Sequence, residues 1–198
     1  LRQGAATALP NTQARLRAVA GVEGGGSVGV SLGASTLVGG IRSPSVGPYT
    51  LVAAGTSTVG VRVNGTLVDT QSLTLQAGGD YTLLVHGPAA APVVHTITDD
   101  NRIPTTTSRM RMRLVNGTSL ADPLTLSVDF TAVASDITAG AASAYVTLPS
   151  SSTAQVDVTS PSAASALFSA SAANLQTQSV YTVFMLGGNA APTGVLRK

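Results

Sequence analysis

The feature that most constrains this chain is that it repeats itself. Arg15-Leu16-Arg17-Ala18-Val19-Ala20-Gly21 matches Arg111-Met112-Arg113-Leu114-Val115-Asn116-Gly117 at an offset of 96 residues. The same offset lays Val28, Val30 and Leu32 on Leu124, Leu126 and Val128, Ile41 on Ile137, and Tyr49 on Tyr145. Slightly changed offsets carry Val61 and Val63 onto Val156 and Val158, Tyr81-Thr82-Leu83 onto Tyr181-Thr182-Val183, and Ala91-Pro92 onto Ala191-Pro192. All four tyrosines occupy two equivalent positions. A period this long exceeds a solenoid unit and matches one small sandwich domain.

Within each copy the hydrophobic period is that of strands. Val28 to Leu32, Val59 to Val63 and Leu73 to Leu75 alternate apolar with small or polar residues, as half-buried strands do. Asn64-Gly65 sits between two such runs and marks a two-residue hairpin. Gly78-Gly79-Asp80 introduces the run Tyr81 to Val85, and Gly87-Pro88 closes it. Pro161 to Gln176 is rich in Ala, Ser and Leu, which favours helix by propensity. Its counterpart, Asn64 to Gln76, reads as hairpin and strand, so a strand is expected over Ala166 to Ser169. The paired tyrosines read as core or corner residues. The class is all-β: antiparallel sandwiches with Greek-key connections.

The expected organisation is an N-terminal extension or linker over 1–13, a domain over 14–98, a linker over 99–108 and a second domain over 109–198. Pro104 and the polar run around it suit an exposed, extended connection. It is short, so the two domains are expected in a defined tandem.

Composition narrows the function classes. Only 10% of residues are Asp, Glu, Lys or Arg, against roughly 25% in ordinary domains, while 43% are hydrophobic. Ala, Thr, Ser and Gly make up 96 of the 198 residues. No run of apolar residues is long enough for a membrane span. The basic pI of 9.4 rests on a net charge of only +2, which is no footprint for nucleic acid. There is no Cys, so disulfides and thiolate chemistry are excluded. A Cys-free chain with one Lys and one Glu fits an exported bacterial protein, its signal peptide already removed.

The opening strand Arg15 to Val19, the Tyr49 strand, the run Tyr81 to Val85 and the tail Thr98-Asp99-Asp100-Asn101 before a second Arg-Met-Arg-Leu-Val-Asn start are similar to a known pattern. They resemble the bacterial family called domain of unknown function 4397, in two copies over residues 14 to about 196. The first copy departs from it at Val22-Glu23-Gly24-Gly25-Gly26, where the family usually carries a Ser-Pro-Asp-Ala-type loop. The resemblance implies exported, Ig-like, non-enzymatic cell-surface modules, with no catalytic residues to carry over. The fold expected is therefore two tandem Ig-like antiparallel β-sandwich domains.

Candidate sites are few, and no catalytic, cofactor or metal residue is assigned. Gly24 to Gly29 satisfies both G-x-G-x-x-G and G-x-S-x-G, but a strand follows where phosphate or oxyanion chemistry needs a helix N-terminus. His86 and His95 could meet across a hairpin, yet zinc needs a third ligand, so they read as surface or edge histidines. Asp99, Asp100 and Asn101 could hold calcium with Asp69 or Asp122, but six to eight oxygens are required, and strand capping and solvation are the plainer reading. Arg15, Arg17, Arg109, Arg111 and Arg113 alternate along the first strand of each copy. They suit an exposed edge where charge discourages strand pairing, or a face for an acidic polymer.

A surface this poor in charge suits a subunit covered by neighbours. The expected function is an extracellular, self-assembling structural protein of a filament, sheath or layer. Its partner is itself, together with a possible cell-surface anchor. Residues 1–13, with Ala5, Thr7 and Leu9 on one face, could add as a strand to the next subunit. The alternative is a cell-surface adhesive module that binds a polymer or partner protein.

Overall fold

The computed structural model describes residues 12–198. The chain is all-β, and the expected extension lies outside these residues except at its end. The first half contains β1 (Gln13–Glu23), β2 (Gly26–Leu32), β3 (Ser35–Ser43), β4 (Ser45–Val46), β5 (Thr50–Ala53), β6 (Gly55–Val63), β7 (Thr66–Leu75), β8 (Asp80–Pro88) and β9 (Val93–Asp99). The second contains β10 (Arg109–Thr118), β11 (Leu124–Val128), β12 (Thr131–Ile137), β13 (Val146–Pro149), β14 (Ser151–Thr159), β15 (Phe168–Leu175), β16 (Val180–Gly187) and β17 (Thr193–Arg197). Among the described residues no helix is long and apolar enough to cross a membrane.

Each half is a pair of sheets. In the first the orders are β4-β1-β8-β9, with β5 also on β1, and β3-β2-β6-β7. The second repeats them as β13-β10-β16-β17 and β12-β11-β14-β15. Leu16, Ala18, Ala20, Val22, Leu83 and Val85 from one sheet share a core with Val28, Val30, Val59, Val61 and Val63 from the other. Met110, Met112, Leu114 and Val183 pack likewise against Leu124, Leu126, Val156 and Val158.

The hairpin at Asn64-Gly65 forms as its sequence indicates: Val63 pairs with Thr66, and both turn residues have positive φ, 52° and 83°. The Ala-rich segment is not helix: residues 161–167 are turn and irregular chain, so the strand expected from Ala166 starts only at Phe168. It enters the ladder at Phe168, paired to Val158, and continues to Leu175. Tyr81 and Tyr181 are buried corner residues. Each hydroxyl accepts the backbone N–H five residues upstream, from Gln76 at 3.0 Å and Gln176 at 2.9 Å. Gly79 leaves room for this corner, since a Cβ there would stand 2.8 Å from the Tyr81 ring.

The pairing is antiparallel throughout except at the centre of one sheet in each half. There β1 runs parallel to β8, from Arg15↔Asp80 to Glu23↔Pro88, and β10 runs parallel to β16. These four strands are buried on both faces, which accounts for their near-continuous apolar runs. Their second faces meet each other. Val19 and Leu84 pack with Val115, Phe184 and Leu186 in a third core. The two halves thus stack face to face as four layers of sheet.

Candidate functional site

The ion pairs among the described residues cluster at and beside the junction between the halves. Alternation along β1 and β10 sends Leu16 and Met112 into the two sandwich cores. It sends Arg17, Val19, Gly21, Arg113, Val115 and Gly117 the other way, onto the junction. At its centre the backbones nearly touch: a Cβ on Gly21 would lie 2.7 Å from the Gly117 carbonyl oxygen. These equivalent residues face each other, so the repeat in sequence becomes an approximate two-fold relation in space.

Beside this centre the arginines enclose one carboxylate. Asp99, at the end of β9, forms ion pairs with Arg113 of the second half and, at 3.6 Å, with Arg17 of the first. It also accepts hydrogen bonds from the hydroxyls of Tyr49 and Thr82. Arg17 donates to Thr82 at 2.8 Å and lies between two rings, 4.4 Å from the Tyr49 centroid and 4.8 Å from Phe184. Arg113 stands 4.5 Å from the Tyr145 ring. Such stacking is favourable for a desolvated guanidinium. Burial, then the neighbouring Asp99 carboxylate, pushes the Tyr49 phenol well above its ordinary pKa, so it stays a donor. Burial likewise raises Tyr145.

A second shelf of charge lies outward. Arg15 grips Asp80 through two nitrogens, at 2.6 and 2.5 Å, and Asn101 donates to the same carboxylate at 2.8 Å. Burial pushes the Asp80 carboxyl up, but the hydrogen bonds from Arg15 and Asn101 outweigh it and hold the group below its usual range. Asp100 accepts from Arg102 at 2.7 Å and Arg111 at 3.0 Å, and those bonds hold its carboxyl low. Chemically this is a network of matched charges that holds two surfaces together.

These contacts correct several sequence readings. Arg17 and Arg113 are 7% and 2% exposed, and β1 and β10 are interior strands, so the arginines do not guard an edge. Arg109, at the start of β10, and Arg15 are exposed, the latter while gripping Asp80, and Arg111 is turned to the Asp100 carboxylate. The expected exposed linker is wrong at its first residue: Asp99 is buried, Asp100 pairs with Arg111 of the second half, and Asn101 turns back to Asp80 and Tyr49 of the first. The calcium reading fails for the same reason. The carboxylates of Asp99 and Asp100 are taken by guanidinium groups, and among the described residues no three His, Asp or Glu gather as a metal cluster. Asp69 lies on β7, paired to Val61, and Asp122 in the loop before β11.

His86 is buried, contrary to the surface reading, whereas His95 is exposed; the hairpin does bring them together, with ring centroids 5.1 Å apart. Gly24, Gly25 and Gly26 have positive φ and make the turn from β1 into β2. The signal that could have revealed the junction was present: Asp80 and Asp99-Asp100-Asn101 are acidic or amide residues where the repeat alone asks for none, Asp80 standing opposite Val180.

A family model described as a domain of unknown function (DUF4397) matches residues 14–119, the first half and the opening strand of the second. No curated protein matches the chain.

Proposed function

This chain belongs to the DUF4397 family, and we propose that it is an extracellular structural subunit that assembles with copies of itself into a filament, sheath or layer. The observation that carries this reading is Phe130. It sits at the tip of the β11–β12 hairpin, 87% exposed, with Asp129 and Phe130 both in the left-handed region at φ 47° and 63°. A bulky residue there costs about 1–2 kcal/mol, and the position ordinarily falls to Gly or Asn. The equivalent tip in the first half is Gly33-Ala34.

An exposed aromatic in a strained turn is explained if a neighbour covers it. Burying such a ring removes on the order of 150 Å² from water, worth about 4 kcal/mol at 25 cal/mol per Å². A receiving surface exists on the other half of the molecule. Leu32, Leu37, Leu51 and Val52 line an uncharged cleft of about 370 Å³ between β3 and β5, with Leu51 62% exposed. A knob on one half and a cleft on the other make a heterologous contact, which propagates as an open array unless its rotation closes a ring.

The charge distribution supports the same reading. Arg17, Asp80, Asp99, Asp100, Arg111 and Arg113 pair at or beside the junction, and the whole chain carries only 11 Lys and Arg and 9 Asp and Glu, so its outer faces are sparsely charged. Adhesion to a foreign polymer is the competing reading. Phe130→Gly separates the two: the native chain should form regular arrays by electron microscopy and light scattering, and the variant should be a stable monomer. A native chain that stays monomeric at high concentration would overturn the assembly reading.

A further inference from the structure

The charges left outside the junction are sorted between the halves. Residues 114–196 contain no Lys, Arg or Glu, and their four carboxylates, Asp122, Asp129, Asp136 and Asp157, all lie on the outer sheet β12-β11-β14-β15 or in its loops. The outer sheet of the first half, β3-β2-β6-β7, carries Arg42 and Arg62 against the single carboxylate of Asp69. None of these side chains is in an ion pair among the described residues. The ladders place the difference at equivalent positions. Gly29↔Arg62 in the first half corresponds to Thr125↔Thr159 in the second, and Ser31↔Gly60 to Ser127↔Asp157. Gly40-Ile41-Arg42 corresponds to Asp136-Ile137-Thr138, since Ile41 pairs with Val28 as Ile137 pairs with Leu124. The hairpin tips are Gly33-Ala34 and Asp129-Phe130. Each of these differences places an Arg on the first half or an Asp on the second.

Arg62 borders a hollow of about 170 Å³ on the outer face of the first half, with Ser27, Gly29, Ser31 and Thr36 around it. The guanidinium is exposed; Nη1 donates to the Gly65 carbonyl at 3.2 Å, and its other nitrogens have no partner among the described residues. Thr36 also lines the apolar cleft beside Leu51, so hollow and cleft adjoin at β3. The tip of the β11–β12 hairpin carries a matching pair, the Asp129 carboxylate immediately before the Phe130 ring. Asp129 Oδ1 accepts the Gln155 N–H at 2.9 Å, which fixes the carboxylate at the tip, and Oδ2 has no donor among the described residues.

We infer that Arg62 and the hydroxyls beside it hold the Asp129 carboxylate of a second copy, while that copy's Phe130 enters the adjoining cleft. The inference rests on the assembly reading above and names the polar half of the same contact. A guanidinium facing a carboxylate makes charge-assisted bonds that fix direction as well as distance, and Ser27 and Thr36 can add hydroxyl donors. Arg42 and Asp136 lie further along the two edge strands β3 and β12, and they draw the acidic sheet of one copy toward the basic sheet of the next. Two acidic sheets repel each other. The sorting of charge thus selects head-to-tail contact over the head-to-head alternative.

The test is a double-mutant cycle on the full chain, with Arg62→Ala, Asp129→Asn and the two combined, read by light scattering over a range of concentrations. Asn keeps an acceptor for the Gln155 N–H and suits the positive φ of 47°, so the hairpin is retained. Each single variant should raise the concentration needed for assembly by about fivefold or more. The double variant should go no further than the larger single effect, because the two side chains act as one pair. Added salt should weaken assembly of the native chain more than that of any variant. Effects that simply add, or variants that assemble as the native chain does while Phe130→Gly abolishes assembly, would overturn the pairing and leave the assembly reading standing. A native chain that stays monomeric would overturn both.

Discussion

Asp99 carries more of the architecture than any other single side chain. It is fully enclosed and faces two guanidinium groups, one from each half, together with two hydroxyl donors. Removing one partner of a buried ion pair leaves uncompensated charge and costs about 3–5 kcal/mol. Asp99→Asn keeps the shape and removes the charge, so Arg17 and Arg113 would be left buried and mutually repelling. Denaturant unfolding should report a loss of about 3 kcal/mol; a change under about 0.5 kcal/mol would show that the network is incidental. The sequence displayed these arginines clearly but not their surroundings. Alternation tells which residues share a face, and it is silent on whether that face meets water or a second sheet. Arg17 and Arg113 were legible as a pair and illegible as buried.

At the scale of elements, the close backbone approach of β1 to β10 is a firm constraint. A Cβ on Gly21 would meet the Gly117 carbonyl oxygen at 2.7 Å and, at 3.2 Å, Leu186 of the third core. Backbone cannot give way as a flexible side chain can. Gly21→Ala should therefore force the two halves apart by tenths of an ångström and cost about 1–3 kcal/mol, as overpacking does. Gly39→Ala, where nothing lies within 4 Å, is the control and should change stability by less than about 0.5 kcal/mol. Thermal unfolding of the two variants side by side measures the difference. The elements themselves were largely legible: the runs at Val28, Val59 and Tyr81 and the Asn64-Gly65 turn follow from period and turn chemistry, and the β15 strand from the repeat against its own helix propensity. The parallel partnership of β1 with β8 was not, because strand order depends on contacts across 65 residues that no local pattern encodes.

For the whole molecule the repeat generates two sandwiches that cover each other's inner sheets and leave their outer sheets and edges free. The junction uses up charge, and the strained, exposed ring at Phe130 and the cleft beside Leu51 remain on opposite halves. Head-to-tail docking of these two features is the central claim. The absence of native cysteine makes a direct measurement possible. Ala53→Cys and Thr131→Cys, both exposed and flanking the cleft and the knob, can be joined by a short bis-maleimide and read on a denaturing gel. Head-to-tail assembly predicts a ladder of dimers, trimers and longer species that disappears when Phe130→Gly is added. A gel showing monomer alone, or a ladder that survives Phe130→Gly, would contradict it.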